Sequence, residues 1–430
     1  MKRTLFSLLL LSSALLQAED LSSSARIVVH DISINKGKPV PGLLPLRGIP
    51  WQEKTPFTPG ETAELWLEGE KMPQISALRC EQYSDRIADA SLEYFDGRSW
   101  KKTDLPFPTL KTERGEEKKI NLTFSPALPA RALRIRIRKT RDYDHEVLKL
   151  GNWRIEGTLP DRKISFDDFS LKLFTAAPFN TFDLPGRGVL QAEIRNNSAR
   201  TGKVDAVMTF QTYFGGETGT SPIVRQLTLA PGEKRTLIFK FNGKEQGPYR
   251  ASLLLRDPET RMPFDIQRLA FGMRDKAVFE RSEIVPLDKP GLPVKSWRER
   301  IREKGTIWGA DVTQGMAGGG KIPGDRIFRE LQQGGATEVY CALSYHDFEP
   351  MPGVYHFDYF DRVVRTAARN GLDITLGVWV WDFGDTSQQF LKNEIQRDEN
   401  GNPGKGWSNC FRPFSKKYRL HAGRAMTALV

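Results

Sequence analysis

The chain is most informative between residues 349 and 385, which read EPMPGVYHFDYFDRVVRTAARNGLDITLGVWVWDFGD. Three prolines or glycines at its start predict a turn, and apolar residues at helical spacing then run from Phe357 to Ala367 until Asn370-Gly371 ends the helix. A strand follows from Ile374 to Val380, where branched apolar residues alternate with threonine, glycine and tryptophan. Since neither face of this strand is plainly polar, we expect both faces to be buried, as in a parallel sheet.

The same pattern occurs just upstream. Asp325 to Gln333 predicts a helix, Gly334-Gly335 ends it, and Thr337 to Leu343 predicts a strand. Thr306 to Val312 supplies an earlier short strand. The order strand, helix, strand, helix, strand favours a parallel sheet, and both a (β/α)8 barrel and a doubly wound sheet begin in this way.

Polar and aromatic residues collect directly after each of these three strands. In parallel α/β folds the ligand binds at the carboxyl ends of the strands, so these residues are candidates for a binding site. For any one carboxylate among them, a role in a loop or helix cap is an alternative. The candidates are Asp311, Thr313 and Gln314 after the first strand, Tyr345, His346, Asp347 and Glu349 after the second, and Trp381, Asp382 and Asp385 after the third.

Two segments of this region carry a family resemblance. FEPMPGVYHFDYFD, residues 348 to 361, and GLDITLGVWVW, residues 371 to 381, resemble the second and third βα units of clan A glycoside hydrolases, most of all the β-galactosidase-like family 42. RDENGN, residues 397 to 402, and the start of the helix that contains Tyr418 fit the third loop of that family. The resemblance covers residues 290 to 430 at most and implies the first three βα units of a TIM barrel.

The resemblance also implies roles for individual residues. It gives Glu349 a structural and substrate-binding role rather than that of acid/base. Arg412 is the nearest substitute for a family arginine, because Gly406 and Trp407 stand where that arginine is expected. Together with the strand-end positions, the resemblance predicts a substrate-binding set without metal: Asp311, Glu349, Trp381, Asp382 and Arg412.

Catalysis in such a retaining enzyme needs two carboxylates about 5 Å apart, one as acid/base and one as nucleophile. The resemblance implies that these glutamates follow the fourth and seventh barrel strands. We therefore expect no catalytic residue in this chain and expect both glutamates to lie beyond Val430.

Residues 24 to 158 have the alternating pattern of a β-sandwich. SLEYFDGRSW (91 to 100), FSPALPARALRIRI (124 to 137) and LGNWRIEG (150 to 157) resemble the discoidin-type, galactose-binding-like jelly roll. Sugar binding and a purely architectural role both stay open for this domain. The predicted strands are 63–67, 90–94, 120–124, 133–137 and 148–155.

A second all-β domain is predicted from 160 to 275, after the short polar linker LPDRK at 159 to 163. EIRNNS, LAPGEK and GPYRASLLL, which begin at residues 193, 229 and 247, resemble an immunoglobulin-like sandwich of the kind that serves as a spacer in secreted carbohydrate enzymes. The predicted strands are 169–174, 188–195, 203–213, 223–229, 234–241, 247–256 and 265–271. The fold class is therefore multidomain, with two all-β sandwiches followed by an incomplete (β/α)8 segment.

The charge of the chain argues against nucleic acid as a partner. Its 64 basic and 53 acidic residues give a formal net charge of +11, but the excess is spread along the chain and no nucleic-acid-binding motif accompanies it. The densest basic run, RIRIRKTR at 134 to 141, alternates with apolar residues and predicts a strand with a charged, solvated outer face. The expected partner is an oligo- or polysaccharide.

The first 18 residues have the pattern of a secretory signal peptide. Lys2-Arg3 precedes an apolar run from Leu5 to Leu16, and Ala18 closes the segment as a small residue at the cleavage position. The apolar run is too short to span a membrane, so we expect a periplasmic or extracellular protein without membrane attachment.

The metal-binding residue types are sparse and scattered. Cys80, Cys341 and Cys410 are far apart, and the five histidines form no metal-binding motif, so we expect neither a metal nor another cofactor. Cys341 lies within a predicted buried strand and is interpreted as a small hydrophobic residue.

Two functional hypotheses of different classes follow. The first is a segment of a secreted, retaining, β-galactosidase-like glycoside hydrolase that is inactive as this 430-residue chain. The second is a non-catalytic carbohydrate-binding or scaffolding protein in which the jelly roll is the functional part and the barrel segment is degenerate.

Overall fold

The computed structural model describes residues 18–28, 40–46, 55–57, 62–82, 88–108, 118–140, 148–212, 218–276, 299, 303, 309–312, 325–379, 390–403, 410–412 and 414–429. Within these ranges the chain is mainly β-strand and is organised as several sheets, as the sequence predicted. Of the proposed signal peptide, residues 1 to 18, only Ala18 is among the described residues. The candidate residues Thr313, Gln314, Trp381, Asp382 and Asp385 also lie outside them.

The first sandwich consists of two antiparallel sheets. Its strands are β1 (Glu19–Asp20), β2 (Ala25–Val28), β4 (Leu43–Pro45), β5 (Thr55–Phe57), β6 (Thr62–Leu67), β7 (Gln74–Gln82), β8 (Ala88–Phe95), β9 (Trp100–Lys102), β10 (Lys118–Pro129), β11 (Ala132–Thr140) and β12 (Leu148–Thr158), and β3 (Val40–Pro41) leaves it to join the second sandwich. One sheet has the order β1-β12-β7-β10, with β5 also paired to β12, and the other has the order β4-β2-β6-β11-β8-β9. All five predicted strands are confirmed.

The core of this sandwich comes from the alternation of its strands. On β6 and β11 every second residue faces the opposite sheet, so that Leu65 and Ile135 are fully buried against Leu78 and Ile155 of the other sheet. β7 was not among the predicted strands, although it lies between β10 and β12 in the middle of its sheet.

The linker between the two sandwiches is tied to the first one. The Asp161 carboxylate accepts hydrogen bonds from the backbone N–H groups of Glu70 and Lys71, each at 2.8 Å. The same loop is held from inside by buried Arg131, whose guanidinium donates to four consecutive carbonyls from Glu68 to Lys71. These bonds fix where the chain leaves the first sandwich.

The second sandwich follows with its own pair of sheets. Its strands are β13 (Phe169–Phe174), β14 (Thr181–Leu184), β15 (Gly188–Asn196), β16 (Gly202–Thr212), β17 (Ile223–Leu229), β18 (Lys234–Phe241), β19 (Gly247–Arg256) and β20 (Pro263–Asp275). The smaller sheet has the order β13-β15-β18 and the larger the order β14-β20-β19-β16-β17. All seven predicted strands are confirmed, four of them with their predicted bounds, and β14, which pairs parallel to β20, was not predicted.

Side chains from β20 protect the edge of β13 in the other sheet. The Leu173 N–H donates to Gln267 Oε1 at 2.9 Å, and the Leu171 N–H donates to Asp265 Oδ2 at 3.1 Å. An edge strand with satisfied backbone groups does not pair with another chain. Burial of the Asp265 carboxyl group raises its pKa to about 6, although the N–H donors of Leu171 and Ile266 oppose the shift.

The third region is a parallel α/β unit. Its elements are β21 (Gly309–Asp311), α1 (Asp325–Gln333), β22 (Glu338–Ser344), the one-turn helix α2 (Tyr345–Phe348), α3 (Phe357–Arg369), β23 (Asp373–Trp379) and α4 (Lys416–Leu429). Both strand pairs of the sheet β21-β22-β23 are parallel. The predicted order of strands and helices is therefore confirmed, and α1 has its predicted bounds.

The expectation that the last strand is buried on both faces is wrong for the described residues. Val339 and Cys341 of β22 point into the core under the helices, whereas Thr375 of β23 is exposed on the opposite face. The three strands described do not close a barrel, because closure requires about eight. Cys341 is fully buried, which confirms its interpretation as a small hydrophobic residue.

The predicted charged face of β11 is only partly solvated. Arg136 is exposed, but the Arg134 side chain is 14% exposed. Its guanidinium carbon lies 4.0 Å from the Trp100 ring centroid, and its Nε and Nη2 both donate to Glu93 Oε2. The solvated-face expectation is therefore wrong at Arg134. This face of the first sandwich packs toward the second sandwich, and Trp66 belongs to the same hydrophobic cluster as the second core.

Asp265 gives a testable pH dependence. Its pKa of about 6 in the folded chain lies above the ordinary value near 4 of an unfolded chain, so the native state binds this proton more tightly and stability falls as the pH rises from about 4 to about 6. Asp265→Asn removes this loss while its carbonyl oxygen can still accept the Leu171 N–H. We expect the variant to gain up to about 3 kcal/mol relative to wild type between pH 4 and pH 7.

The measurement is urea unfolding of both proteins across this pH range. Asp167→Asn, at a side chain that is 86% exposed, is the control and should not show this gain. A pH-independent stability difference for Asp265→Asn would contradict the assignment.

Candidate functional site

Asp311 ends its strand on the face of the parallel sheet that no described helix covers, called the open face below. It is exposed and pairs in register with Tyr340, which in turn pairs with Thr375. Because β22 continues for four more residues to Ser344, Asp311 lies about 13 Å below the carboxyl end of β22, at 3.3 Å per residue. The open face therefore carries Asp311 partway along the strands rather than at their ends.

Glu349 is the buried carboxylate at the carboxyl end of β22, with no exposed surface. Its Oε2 accepts a short hydrogen bond from the Tyr345 hydroxyl, and its Oε1 accepts the Gly353 N–H at 2.7 Å. His421 of α4 places Nδ1 3.6 Å from the same Oε1. One carboxylate thus joins the helix after β22, the following turn and the last helix.

The local sequence explains how Glu349 reaches this position. Tyr345 and Glu349 are four residues apart on a helical turn, closed by a 2.8 Å bond from the Glu349 N–H to the Tyr345 carbonyl, so both side chains lie on one face. Gly353 has a φ of +72°, which favours glycine, and Met351 and Val354 then pair as a β-bridge. The turn therefore presents its Gly353 N–H to the carboxylate.

The surroundings keep the tyrosines of this cluster protonated. Burial first, and the nearby Glu349 carboxylate second, raise the pKa of both Tyr345 and Tyr355 well above the ordinary tyrosine value. Burial also raises the pKa of Tyr418 to about 12. Tyr345 is thus a permanent hydrogen-bond donor to Glu349.

Aromatic rings enclose the buried carboxylate. Phe348 stacks on Tyr355 with ring centroids 5.4 Å apart, and Phe411 stacks on Tyr418 at 5.0 Å. Tyr345 contacts both Phe411 and Tyr418 edge to face, each at 6.1 Å. These contacts hold the segment around residue 411 next to the end of β22.

Arg412 follows Phe411 and is exposed. Its guanidinium donates to Glu394 Oε2 at 2.9 Å and to the Asn393 carbonyl at 2.8 Å. Hydrogen bonding from the Ser415 hydroxyl, and then from Arg412, lowers the pKa of Glu394. A substrate contact by Arg412 would therefore be made by a guanidinium already oriented by Glu394.

The five predicted site residues have different positions. Tyr345, which bonds to Glu349, contacts Phe411, and Arg412 follows Phe411, so Glu349 and Arg412 lie in the same part of the unit. Asp311 lies on the open face, farther from the carboxyl ends of the strands. Trp381 and Asp382 lie outside the described residues. The nearest described residue before them is Trp379, which ends β23 and pairs with Ser344.

Sequence reasoning missed His421 and Glu394 as partners of predicted site residues. The spacing of four residues between Tyr345 and Glu349 could have indicated their contact, because it places both side chains on one side of a helical turn. No local signal links Glu349 with His421, which is 72 positions later and on another helix.

Among the described residues, no three His, Cys, Asp or Glu side chains are grouped closely enough to hold a metal ion. No described helix combines the length and the apolar character needed to cross a membrane. None of the three cysteines forms a disulfide; Cys80 and Cys341 are buried and Cys410 is partly exposed.

No protein-family model and no curated protein matches this chain. Among solved structures, a β-glucosidase from Listeria innocua in complex with isofagomine is similar at 17% identity and a TM-score of 0.20, over 25% of this chain and 16% of that chain. The β-glucosidase EmGH1 from Erythrobacter marinus is similar at 12% identity and 0.19, over 26% and 16%. The CARDB domain of the PF1109 protein from Pyrococcus furiosus, in complex with di-metal ions, is similar at 14% identity and 0.21, over 26% and 99%.

These similarities are partial, and the chain spans about a sixth of the length of the β-glucosidases.

The burial of Glu349 predicts a large cost for its removal. Glu349→Ala leaves the Gly353 N–H and the Tyr345 hydroxyl without their acceptor in a buried site, which we expect to cost about 3 kcal/mol or more. The matched control is Asp361→Asn on α3, an exposed pair with Arg365 that should cost less than about 0.5 kcal/mol.

Hydrogen exchange of the amides from 345 to 356 in the native chain measures this effect locally. Faster exchange there in Glu349→Ala, with the control unchanged, is the expected result. Equal protection in both variants would contradict the structural role of Glu349.

Proposed function

We propose that this chain is part of a secreted carbohydrate-active protein and that it binds a β-linked saccharide at the open face and carboxyl edge of its parallel sheet. The observation that carries the proposal is the sheet β21-β22-β23. Its helices cover one face, and the other face carries Asp311, Tyr340 and Thr375. Parallel sheets bind their ligands beyond the carboxyl ends of their strands, which is where Glu349 follows β22.

In this proposal Glu349 is a positioning residue. Its carboxylate is occupied by Tyr345 and Gly353 and has no exposed surface, so it shapes the loop beside the substrate rather than transferring a proton. Asp311, Trp381, Asp382 and Arg412 supply the contacts to the saccharide, with hydroxyl groups bound by carboxylates and the sugar face packed on an indole ring.

The finer form of the proposal is a retaining, β-galactosidase-like glycoside hydrolase whose acid/base and nucleophile are assigned to no residue of this chain. Export through the segment that ends at Ala18, to the periplasm or the cell exterior, is part of the same proposal. Its resemblance in the segment from 348 to 381 supports the enzyme class.

A second candidate is a non-catalytic carbohydrate-binding or scaffolding protein. The observation that favours it is the commitment of the buried Glu349 carboxylate to the fold, together with the hydrophobic cluster shared by the two sandwiches and the smaller cluster of Ala270, Met351 and Val354. The two candidates differ in turnover and in the place of binding, which the second assigns to the first sandwich rather than to the parallel sheet.

Calorimetric titration of the purified chain with lactose, cellobiose and an aryl β-galactoside tests the proposal. We expect binding without hydrolysis, and we expect Trp381→Ala and Asp382→Asn each to weaken binding about tenfold through loss of a ring contact or a charged hydrogen bond. Asp361→Asn, an exposed carboxylate on α3, should leave binding unchanged.

Absence of binding to all three saccharides, or binding unaffected by both variants, would overturn the proposed site. Hydrolysis that is lost in Glu349→Gln would show instead that Glu349 is catalytic and that its positioning role is wrong.

A further inference from the structure

A cavity of about 480 Å³ lies between the facing sheets of the two sandwiches. Its volume is in the range of small-molecule sites. Arg98 and Arg261 on its lining are exposed, while Trp66, Phe95 and Arg268 are buried, so the cavity runs from the surface to the interior of the joint.

Strand register builds one wall of this cavity from the second sandwich. Thr209 of β16 pairs with Ser252 of β19, which pairs with Arg268 of β20. Two residues along, Leu254 pairs with Ile266. Since alternate residues of a strand share a face, these side chains form a continuous surface with two hydroxyl groups and a guanidinium.

Three aromatic rings of the first sandwich form the opposite wall. Trp66 and Phe95 are 5.5 Å apart between centroids, and Trp100 lies 5.4 Å from Phe95 and 5.9 Å from Trp66. Such a wall offers apolar contact to the C–H groups of a sugar ring.

The charged lining is predominantly positive. Arg256 and Arg261 share a single carboxylate, that of Asp205, at 3.7 Å and 3.5 Å. Arg268 is 8% exposed, and burial together with the positive charge of Arg250 lowers its pKa to about 10. This wall thus carries three arginines, Arg256, Arg261 and Arg268, and Asp205 contacts two of them.

Glu64 is the one carboxylate among the described lining residues, and its partners lie in its own sandwich. Glu64 accepts a hydrogen bond from Trp66 Nε1 at 3.1 Å and lies 3.8 Å from Arg134. Burial raises the pKa of Glu64, which further reduces its capacity to neutralise the arginines of the opposite wall.

We propose that this cavity binds an acidic saccharide residue, a sugar ring that carries a carboxylate or a sulfate. Arg256, Arg261 and Arg268 hold its anionic group, with Arg98 at the exposed side, and the ring packs on the wall of Trp66, Phe95 and Trp100. Guanidinium groups pair strongly with both kinds of anion. This inference goes beyond the proposed function, because the cavity uses no residue of the parallel sheet.

The test is calorimetric titration of the full chain with glucuronate, galacturonate and N-acetylglucosamine 6-sulfate, with glucose and N-acetylglucosamine as the neutral counterparts. We expect one acidic sugar to bind per chain. Binding of the two uronates indicates a site for a carboxylate, and binding of N-acetylglucosamine 6-sulfate indicates a site for a sulfate. Arg98→Gln and Arg261→Asn should each weaken binding about tenfold through loss of a charge-assisted contact.

Both variants are chosen to preserve the fold. Arg98 is exposed, and Arg261 has a φ of +64°, a conformation that asparagine tolerates. Arg235→Gln on β18, where Arg235 pairs with Glu233, is the matched control and should bind like wild type. Asp311→Ala should also leave this binding unchanged, which separates it from the saccharide site of the parallel sheet.

Absence of binding to every acidic sugar would overturn the proposal. Equal binding of the neutral counterparts, or equal weakening by Arg235→Gln, would overturn it as well, because the arginines of the cavity would then confer no selectivity.

Discussion

One strand, β20 from Pro263 to Asp275, positions all three regions of the molecule. It pairs with β19 inside its own sheet and with β3, which the first sandwich contributes. Other residues of β20 contact the two neighbouring regions. Ile266 and Arg268 line the cavity between the two sandwiches. Ala270 packs with Met351 and Val354 of the α/β unit. Because one part of β20 contacts the first sandwich and another part contacts the α/β unit, this strand fixes the position of both relative to the second sandwich.

The close approach at Gly272 makes this arrangement selective for small residues. A Cβ atom placed there would lie 2.5 Å from Val354 Cγ2 and 3.0 Å from Met351 Sδ, so only glycine leaves room for the turn. The Arg274 guanidinium contacts the Pro352 carbonyl at 3.5 Å beside it. Because Glu349 holds the same turn from within through Gly353, the proposed saccharide edge and the joint with the second sandwich depend on one buried carboxylate.

The sequence predicted those parts of the fold whose signal is local. The helix from 325 to 333 and the strand from 223 to 229 have their predicted bounds, since alternation and helical spacing are properties of adjacent residues. The strand at 40 to 41 could not be predicted from neighbouring residues, because its partner on β20 is more than 200 positions away in the sequence. The contact of Glu349 with His421 and the covering of Arg134 depend on the same kind of distant packing.

The most direct test of the role of β20 is hydrogen exchange of the full chain with Gly272→Val. The account predicts that the turn from 351 to 356 loses protection while β15 and β18, in the other sheet of the sandwich, keep theirs, because the new side chain displaces Val354 and Met351. Thr228→Val, at an exposed position of β17, should change neither region. Unchanged protection of the turn in Gly272→Val would contradict the claim that this strand seats the α/β unit.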